Sequence, residues 1–396
     1  MAIDNKDKKI LNVPPLRFPE FTEEWKAEQL DNIATLSKGI GISKEQLSED
    51  GEPCILYGEL YTKYKSEIIK QVESKTDING SKLKRSKAND VIIPCSGETA
   101  VDIATARCVP FDNILFGGDL NVISLHQYDG AFMSYQLNGK RKYDIARVAQ
   151  GVSIVHLYGE HLKAIKTYNP TLPEQQKIAK LLSLLDDRID TQNKIIEDLK
   201  KLKSAIVDKL YSSTNGKTYS FCQLFEVVNE KNKKLAYKNV LSASQELGMI
   251  ERSNINIDIK FEQESISGYK IVRKGDYVVH LRSFQGGFAF SDTTGICSPA
   301  YTILRPNDLV VYGYLSHFFT SKPFIKSLKL VTYGIRDGRS INVDEWLDMP
   351  ILLPSAQEQM RILTIVNAID AKLHNEAKVQ FCLSSQKSYL LNTMFI

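Results

Sequence analysis

Two stretches of the chain carry the same stripe of apolar positions at 4,3,4,3 spacing. The first runs through Ile178, Leu182, Leu185, Ile189, Ile196, Leu199, Ile206 and Leu210. The second runs through Ile362, Val366, Ile369, Leu373, Leu383, Leu390 and Met394, displaced from the first by 184 residues, Ile178 against Ile362. A stripe of this spacing kept up over about four heptads is the seam of a coiled coil. Polar residues interrupt both copies at the same places, Gln192 with Glu376 and Lys203 with Lys387, so the two stretches read as a duplication. Neither contains an internal Pro or Gly, and each predicts one unbroken helix that begins just after a proline. At about 1.5 Å per residue, Glu174 to Ser212 makes a rod of nearly 60 Å.

The duplication reaches outside the helices. Pro170-Thr-Leu-Pro-Glu174-Gln175 aligns with Pro354-Ser-Ala-Gln-Glu358-Gln359, with Gln357 standing where the first copy has Pro173 and Asn367 where it has Ser183. Trp25 to Leu30 resembles Tyr219 to Leu224, and Gly151-Val-Ser153-Ile resembles Gly338-Arg-Ser340-Ile. Between these landmarks lie short β-prone runs, Val91-Ile-Ile-Pro, Ile114-Leu-Phe, Asn121 to Leu125, Tyr277 to Leu281 and Ala300 to Leu304, punctuated by turn residues. The expected fold is α+β: two similar, sheet-rich mixed α/β domains separated by two long antiparallel coiled-coil helices with pseudo-two-fold symmetry. The expected boundaries are a tail over 1–14, a first domain over 15–170, a first helix over 171–214, a second domain over 215–353 and a second helix over 354–396.

Composition narrows the class without naming a chemistry. An apolar content of 43% and a charged content of 25% are those of a globular chain. No run is long and apolar enough to span a bilayer, and the first residues lack a secretory pattern, so a cytoplasmic location is expected. Six cysteines are scattered without a CxxC pair, and the six histidines show no metal-ligand spacing, so no metal site is expected. Gly216-Lys217-Thr218 ends like a phosphate loop but has Tyr211 where the leading glycine is required. Asn169-Pro170-Thr171-Leu172 lacks the second proline and the aromatic of an adenine aminomethylation motif. No catalytic residue is assigned. The net charge is only +4, but basic residues cluster at 82–87, 140–142 and 231–234.

Two related domains on a helix pair match the pseudo-dyad of duplex DNA, each domain reading one half of a bipartite site while the helices fix its spacing. Pro170-x-x-Pro-Glu174-Gln175-x-x-Ile178, Leu185-Asp186-x-x-Ile189, their second copies, and the opening Pro-Pro-Leu-Arg-Phe-Pro-Glu-Phe…Trp25 resemble the specificity subunits of type I restriction–modification systems. The resemblance covers nearly the whole chain. It implies a non-catalytic subunit that joins two methylation subunits, which bind S-adenosylmethionine, and two restriction subunits, which use ATP and Mg, on double-stranded DNA. No cofactor is expected on this chain. A second apolar stripe, Leu181, Leu184, Ile195 and Leu202, is either a docking face for the methylation subunits or is covered by the chain's own domain. Competing readings are an orphan or fused adenine-N6 methyltransferase and a non-catalytic coiled-coil scaffold.

Base contacts are expected from loops that combine permissive glycines with polar side chains. In the first domain the candidates are Ser96, Gly97, Thr99, Gln150 and Ser153, with Glu98 a possible acceptor for a cytosine amino group and Arg141 and Arg147 behind them. In the second they are Arg282, Ser283, Gln285, Arg336, Arg339 and Ser340.

Overall fold

A computed structural model of the chain describes residues 12–79, 82–151, 153–244, 247–252, 263–280, 287–333 and 340–396. It divides into two compact units. Unit 1 comprises Met1–Asn193 with Lys378–Ile396, and unit 2 comprises Lys194–Ala377. Each unit therefore takes one end of both long helices together with one sheet-rich domain.

In unit 1 the central sheet is built from β1 (Ala34–Lys38), β2 (Asp90–Pro94), β3 (Arg107–Val109) and β4 (Leu120–Leu125), in the order β1-β4-β2-β3 and antiparallel throughout. The continuous apolar run of β2 is explained by burial on both faces. Val91 and Ile93 enter one core with Ile123, Met133 and Leu137. Ile92 enters another with Val122, Leu120 and Phe116.

Unit 2 repeats the plan with β5 (Phe225–Val228), β6 (Tyr277–Val279), β7 (Phe288–Phe290) and β8 (Thr302–Pro306), in the order β5-β8-β6-β7. Alternation again divides the side chains. Tyr277, Val279 and Leu304 enter an aromatic core in which Phe221 stacks on Trp346 at 4.2 Å, while Val278 and Ile303 enter a smaller core behind the sheet. Strand order was not legible in the sequence, and the matching orders extend the duplication from the helices to the domains.

The long helices are α1 (Leu172–Ser212) and α2 (Ala356–Thr393), each unbroken. Pro173 lies in the first turn of α1, where its missing N–H costs nothing. The second copy manages with Gln357 because Ser355 Oγ accepts the Glu358 N–H at 3.3 Å and so caps the helix. A two-strand tether holds each domain to its helices: Lys26–Gln29 with Lys166–Asn169, and Lys217–Ser220 with Pro350–Leu353, both antiparallel. A buried glutamine locks each junction. Gln175 donates to Pro170 O (2.8 Å) and accepts the Asp129 N–H (2.9 Å). Gln359 donates to Pro354 O (3.0 Å) and accepts the Val311 N–H (2.8 Å).

The apolar stripe is sheltered along its length. Ile178, Leu182, Leu185, Ile362, Val366, Leu383 and Met394 are buried, and Ile189, Ile196, Leu199, Ile206, Leu210, Ile369, Leu373 and Leu390 are half-buried. Within unit 1, Ile178 and Leu182 share a cluster with Met394, and Asp186 faces Lys387. Within unit 2, Val207 shares a cluster with Val366 and Ile362, and Lys203 faces Asp370. In each unit, advancing along α1 means retreating along α2, so the helices run antiparallel.

Candidate nucleic-acid interface

Beyond β2 the chain of unit 1 turns outward at Cys95 and forms the two-residue strand Ser96–Gly97. This strand pairs antiparallel with Val155–His156, Gly97 opposite Val155 and Ser96 opposite His156. The pairing brings together two candidate segments that lie far apart in sequence. Ser96 Oγ is 3.2 Å from His156 Nδ1, and Tyr61 donates its hydroxyl to Ser96 O at 3.1 Å. A Cβ added at Gly97 would stand 2.9 Å from the Tyr61 hydroxyl and would have to push that side chain aside. On the other side, Gln150 and His156 exchange backbone hydrogen bonds of 2.9 and 2.7 Å and close a short hairpin. At its tip Gly151 has φ +126, and an added Cβ would meet Ile154 O at 2.1 Å.

The two segments wall a cleft of about 710 Å³ lined by Tyr57, Tyr61, Ser96, Glu98, Arg107 and Ser153 among others. Ser153, Glu98 and Thr99 are exposed. Thr99 caps the short helix Ala100–Ile103, accepting the Asp102 N–H and donating its hydroxyl to the Asp102 carboxylate. Arg107 is buried, with Nε on Tyr64 O (3.1 Å) and Nη1 on Ala106 O (3.0 Å), and burial holds its guanidinium below its ordinary range against the pull of Glu67 and Asp186. Burial likewise pushes the Tyr61 hydroxyl up, so it stays a neutral donor. The cleft therefore offers hydroxyls, a free carboxylate and aromatic edges, the groups that read base edges by hydrogen bonding. Tyr57, Tyr61 and Arg107 were not singled out from sequence, because no loop signal accompanies a residue placed on the wall by tertiary folding.

The two arginines of unit 1 differ. Arg147 is exposed, held loosely by Asp144 at 3.1 Å, on a helix (Lys142–Val148) that packs on Ala100–Ile103. Arg141 is spoken for: Nη2 donates to Ile396 O (3.0 Å), Nη1 lies 3.2 Å from Asp144, and the guanidinium stands over Tyr168. It pins the end of the chain. Asn169, weighed above as part of an aminomethylation motif, is buried in the tether and donates to Thr167 and Glu28.

In unit 2, Arg282, Ser283, Gln285, Arg336 and Arg339 lie outside the described residues. Their flanks are described. The segment 281–286 follows β6 as Ser96–Gly97 follows β2, and Ser340–Ile341 pairs antiparallel with Thr332–Tyr333. Among the described residues, no group of three His, Cys, Asp or Glu side chains could hold a metal ion, and no helix is long and apolar enough to cross a membrane.

Comparison with known proteins agrees with this layout. Residues 22–201 match the family model of the type I restriction modification DNA specificity domain. The specificity subunit of the type I restriction enzyme MjaVIII of Methanocaldococcus jannaschii is 23% identical over 98% of this chain and 95% of its own. A putative type I specificity subunit, MjaX, of the same organism is 25% identical over 59% of each chain. The crystal structure of a type I S subunit from M. genitalium aligns with TM-score 0.58 at 16% identity, over 97% of this chain and 99% of that one. A structure solved for complex assembly of the type I R-M system aligns with TM-score 0.59 at 14% identity, over 96% and 99%.

Proposed function

We propose that this chain is a type I restriction–modification specificity subunit, each of whose units reads one half of a bipartite, asymmetric DNA site. The observation that carries the reading is the repeated sheet order, β1-β4-β2-β3 and β5-β8-β6-β7, joined to duplicated helices while the loops beyond β2 and β6 share no sequence. A common scaffold with divergent tips suits two readers of different half-sites. In unit 1 the reading edge is the cleft wall of Ser96, Glu98, Thr99 and Ser153, with Arg147 set to meet phosphate. In unit 2 the corresponding segments are those carrying Arg282, Ser283 and Gln285 and carrying Arg336, Arg339 and Ser340.

The chain is non-catalytic and acts in the cytoplasm with two methylation subunits and two restriction subunits. S-adenosylmethionine, ATP and Mg belong to those partners. Leu184, Ile195 and Leu202 are 51%, 40% and 51% exposed, which supports a docking face for the methylation subunits, whereas Leu181 packs into the core of unit 1. The domain limits follow the tethers, with recognition domains over 15–170 and 215–353 and helices over 171–214 and 354–396.

Methylome sequencing of a host that expresses the chain with its partners tests the reading. A Glu98→Ala, Ser153→Ala double variant should relax one half-site, each lost base contact being worth about 1–3 kcal/mol, and leave the other half-site intact. A variant methylome identical to that of the parent removes the cleft from the DNA interface.

A further inference from the structure

The lysines that interrupt the two apolar stripes face carboxylates, with side chains only 27% (Lys203) and 17% (Lys387) exposed. Lys387 Nζ lies 2.6 Å from Asp186 Oδ1 on the opposite helix and 2.5 Å from Glu67 Oε2 of the domain. Lys203 Nζ lies 2.5 Å from Asp370 Oδ1 on its opposite helix. Asp186 and Asp370 stand at the same offset as the lysines, 184 residues, so the pair was duplicated whole. A domain side chain joins each pair. In unit 1, Tyr135 donates to Asp186 at 2.7 Å beside the Glu67 contact. In unit 2, His317 Nε2 is 3.8 Å from Asp370 Oδ2 and 3.4 Å from Asn367 Oδ1. Each unit thus holds one junction where α1, α2 and the recognition domain meet.

Leucine seams accept small slides and rotations at little cost. An ammonium facing a carboxylate is satisfied in one seat alone, which is why polar residues at seam positions specify register while giving up stability relative to an apolar pair. We infer that the duplicated Lys–Asp junctions are positioning residues that set the seat of each recognition domain on the helix pair, and with it the fidelity of spacing between the two half-sites. The inference rests on the bipartite reading proposed above.

The full chain, expressed with its partner subunits, provides the test. Lys203→Met with Asp370→Leu replaces the unit 2 junction by an apolar pair, and Lys203→Asp with Asp370→Lys restores a pair of reversed polarity. Thermal unfolding and single-molecule methylome sequencing are the readouts. The apolar variant should unfold at the parental temperature or above, yet methylate sites one base pair off the parental spacer at about a tenth of the cognate level, a tenfold preference being worth ~1.4 kcal/mol. The reversed pair should restore the single spacer, an outcome that a purely stabilising role does not predict. Should the apolar variant lose folded yield, Asp370→Asn, which keeps the shape, carries the same expectation. A single parental spacer in a folded junction variant overturns the inference. A parent that methylates no bipartite site takes down the bipartite reading, and this inference with it.

Discussion

The two units treat the same short motif, Glu-Gln at the start of a long helix, in opposite ways. The glutamines are equivalent: Gln175 and Gln359 are both buried and both bridge a proline carbonyl to a backbone amide of their domain. The glutamates are not. Glu174 is 1% exposed and receives a bidentate grip from Arg17, 2.7 Å at each oxygen, with Trp25 Nε1 at 3.3 Å. Glu358 sits at the surface and, among the described residues, pairs with Arg361, one turn away. The opening segment of the first domain, through Arg17 and Trp25, covers the helix start in unit 1. Duplication has kept the residue that locks helix to domain and left its neighbour to whatever covers it.

The junction lysines give this comparison its largest expected effect. Lys387→Met leaves Asp186 and Glu67 buried without their cation and should cost unit 1 about 3–5 kcal/mol. Lys203→Met should cost unit 2 no more than about 1 kcal/mol, because Asp370 is 37% exposed and water can replace the ammonium. Hydrogen exchange resolved by peptide separates the two units. Equal losses would mean that solvent does not reach Asp370.

The helices and their duplication were legible because a coiled-coil seam is a local, periodic signal. Chance does not place Lys203 and Lys387 at matching seam positions. Their partners were not legible: Asp186 appeared in a motif, but nothing along the chain says that it faces Lys387, and Glu67 and Tyr135 arrive through tertiary folding. The strands were found where burial on both faces leaves an uninterrupted apolar run, as in Val91-Ile92-Ile93. Their order depends on pairings across tens of residues, and the sequence was silent on it. Arg141 shows the limit for site residues. A basic run with an arginine reads as a DNA contact, yet its guanidinium is occupied by the carbonyl of Ile396, the far end of the chain.

A second contrast isolates the covering segment. Glu174→Gln should lower the stability of unit 1 by about 1.5–3 kcal/mol, the range for a charged hydrogen bond lost from a buried pair. Glu358→Gln at the surface should stay within about 0.5 kcal/mol of the parent. Denaturant unfolding monitored by Trp25 reports on the first and by Trp346 on the second, in single-tryptophan backgrounds. A matched cost in both would show that the coverage of Glu174 does not matter.

The smallest difference concerns acid, and here the junctions should respond with opposite signs. His317 is held below the ordinary histidine value of 6.5, by burial first and then by Lys203, with Asp370 and Asn367 pulling the other way. Its neutral form is the one the fold favours, so its contribution is present above pH 6.5 and is lost as pH falls through the folded value. Glu67 is held above the ordinary carboxyl value of 4.5, by burial first and then by Asp186, against Lys387 and Arg107. Its protonated form is the favoured one, so its contribution is present below pH 4.5 and is lost as pH rises through the folded value. Acidification from neutrality should therefore loosen the His317 junction while protonation of Glu67 firms unit 1, and His317→Gln should flatten the loss in unit 2. Hydrogen exchange across Tyr314–Phe318 and across Gly130–Asn138, followed from pH 7 downward after correction for the intrinsic rate, measures the two junctions separately. If both segments lose protection together in the parent and in His317→Gln alike, the acid response belongs to groups outside the junctions.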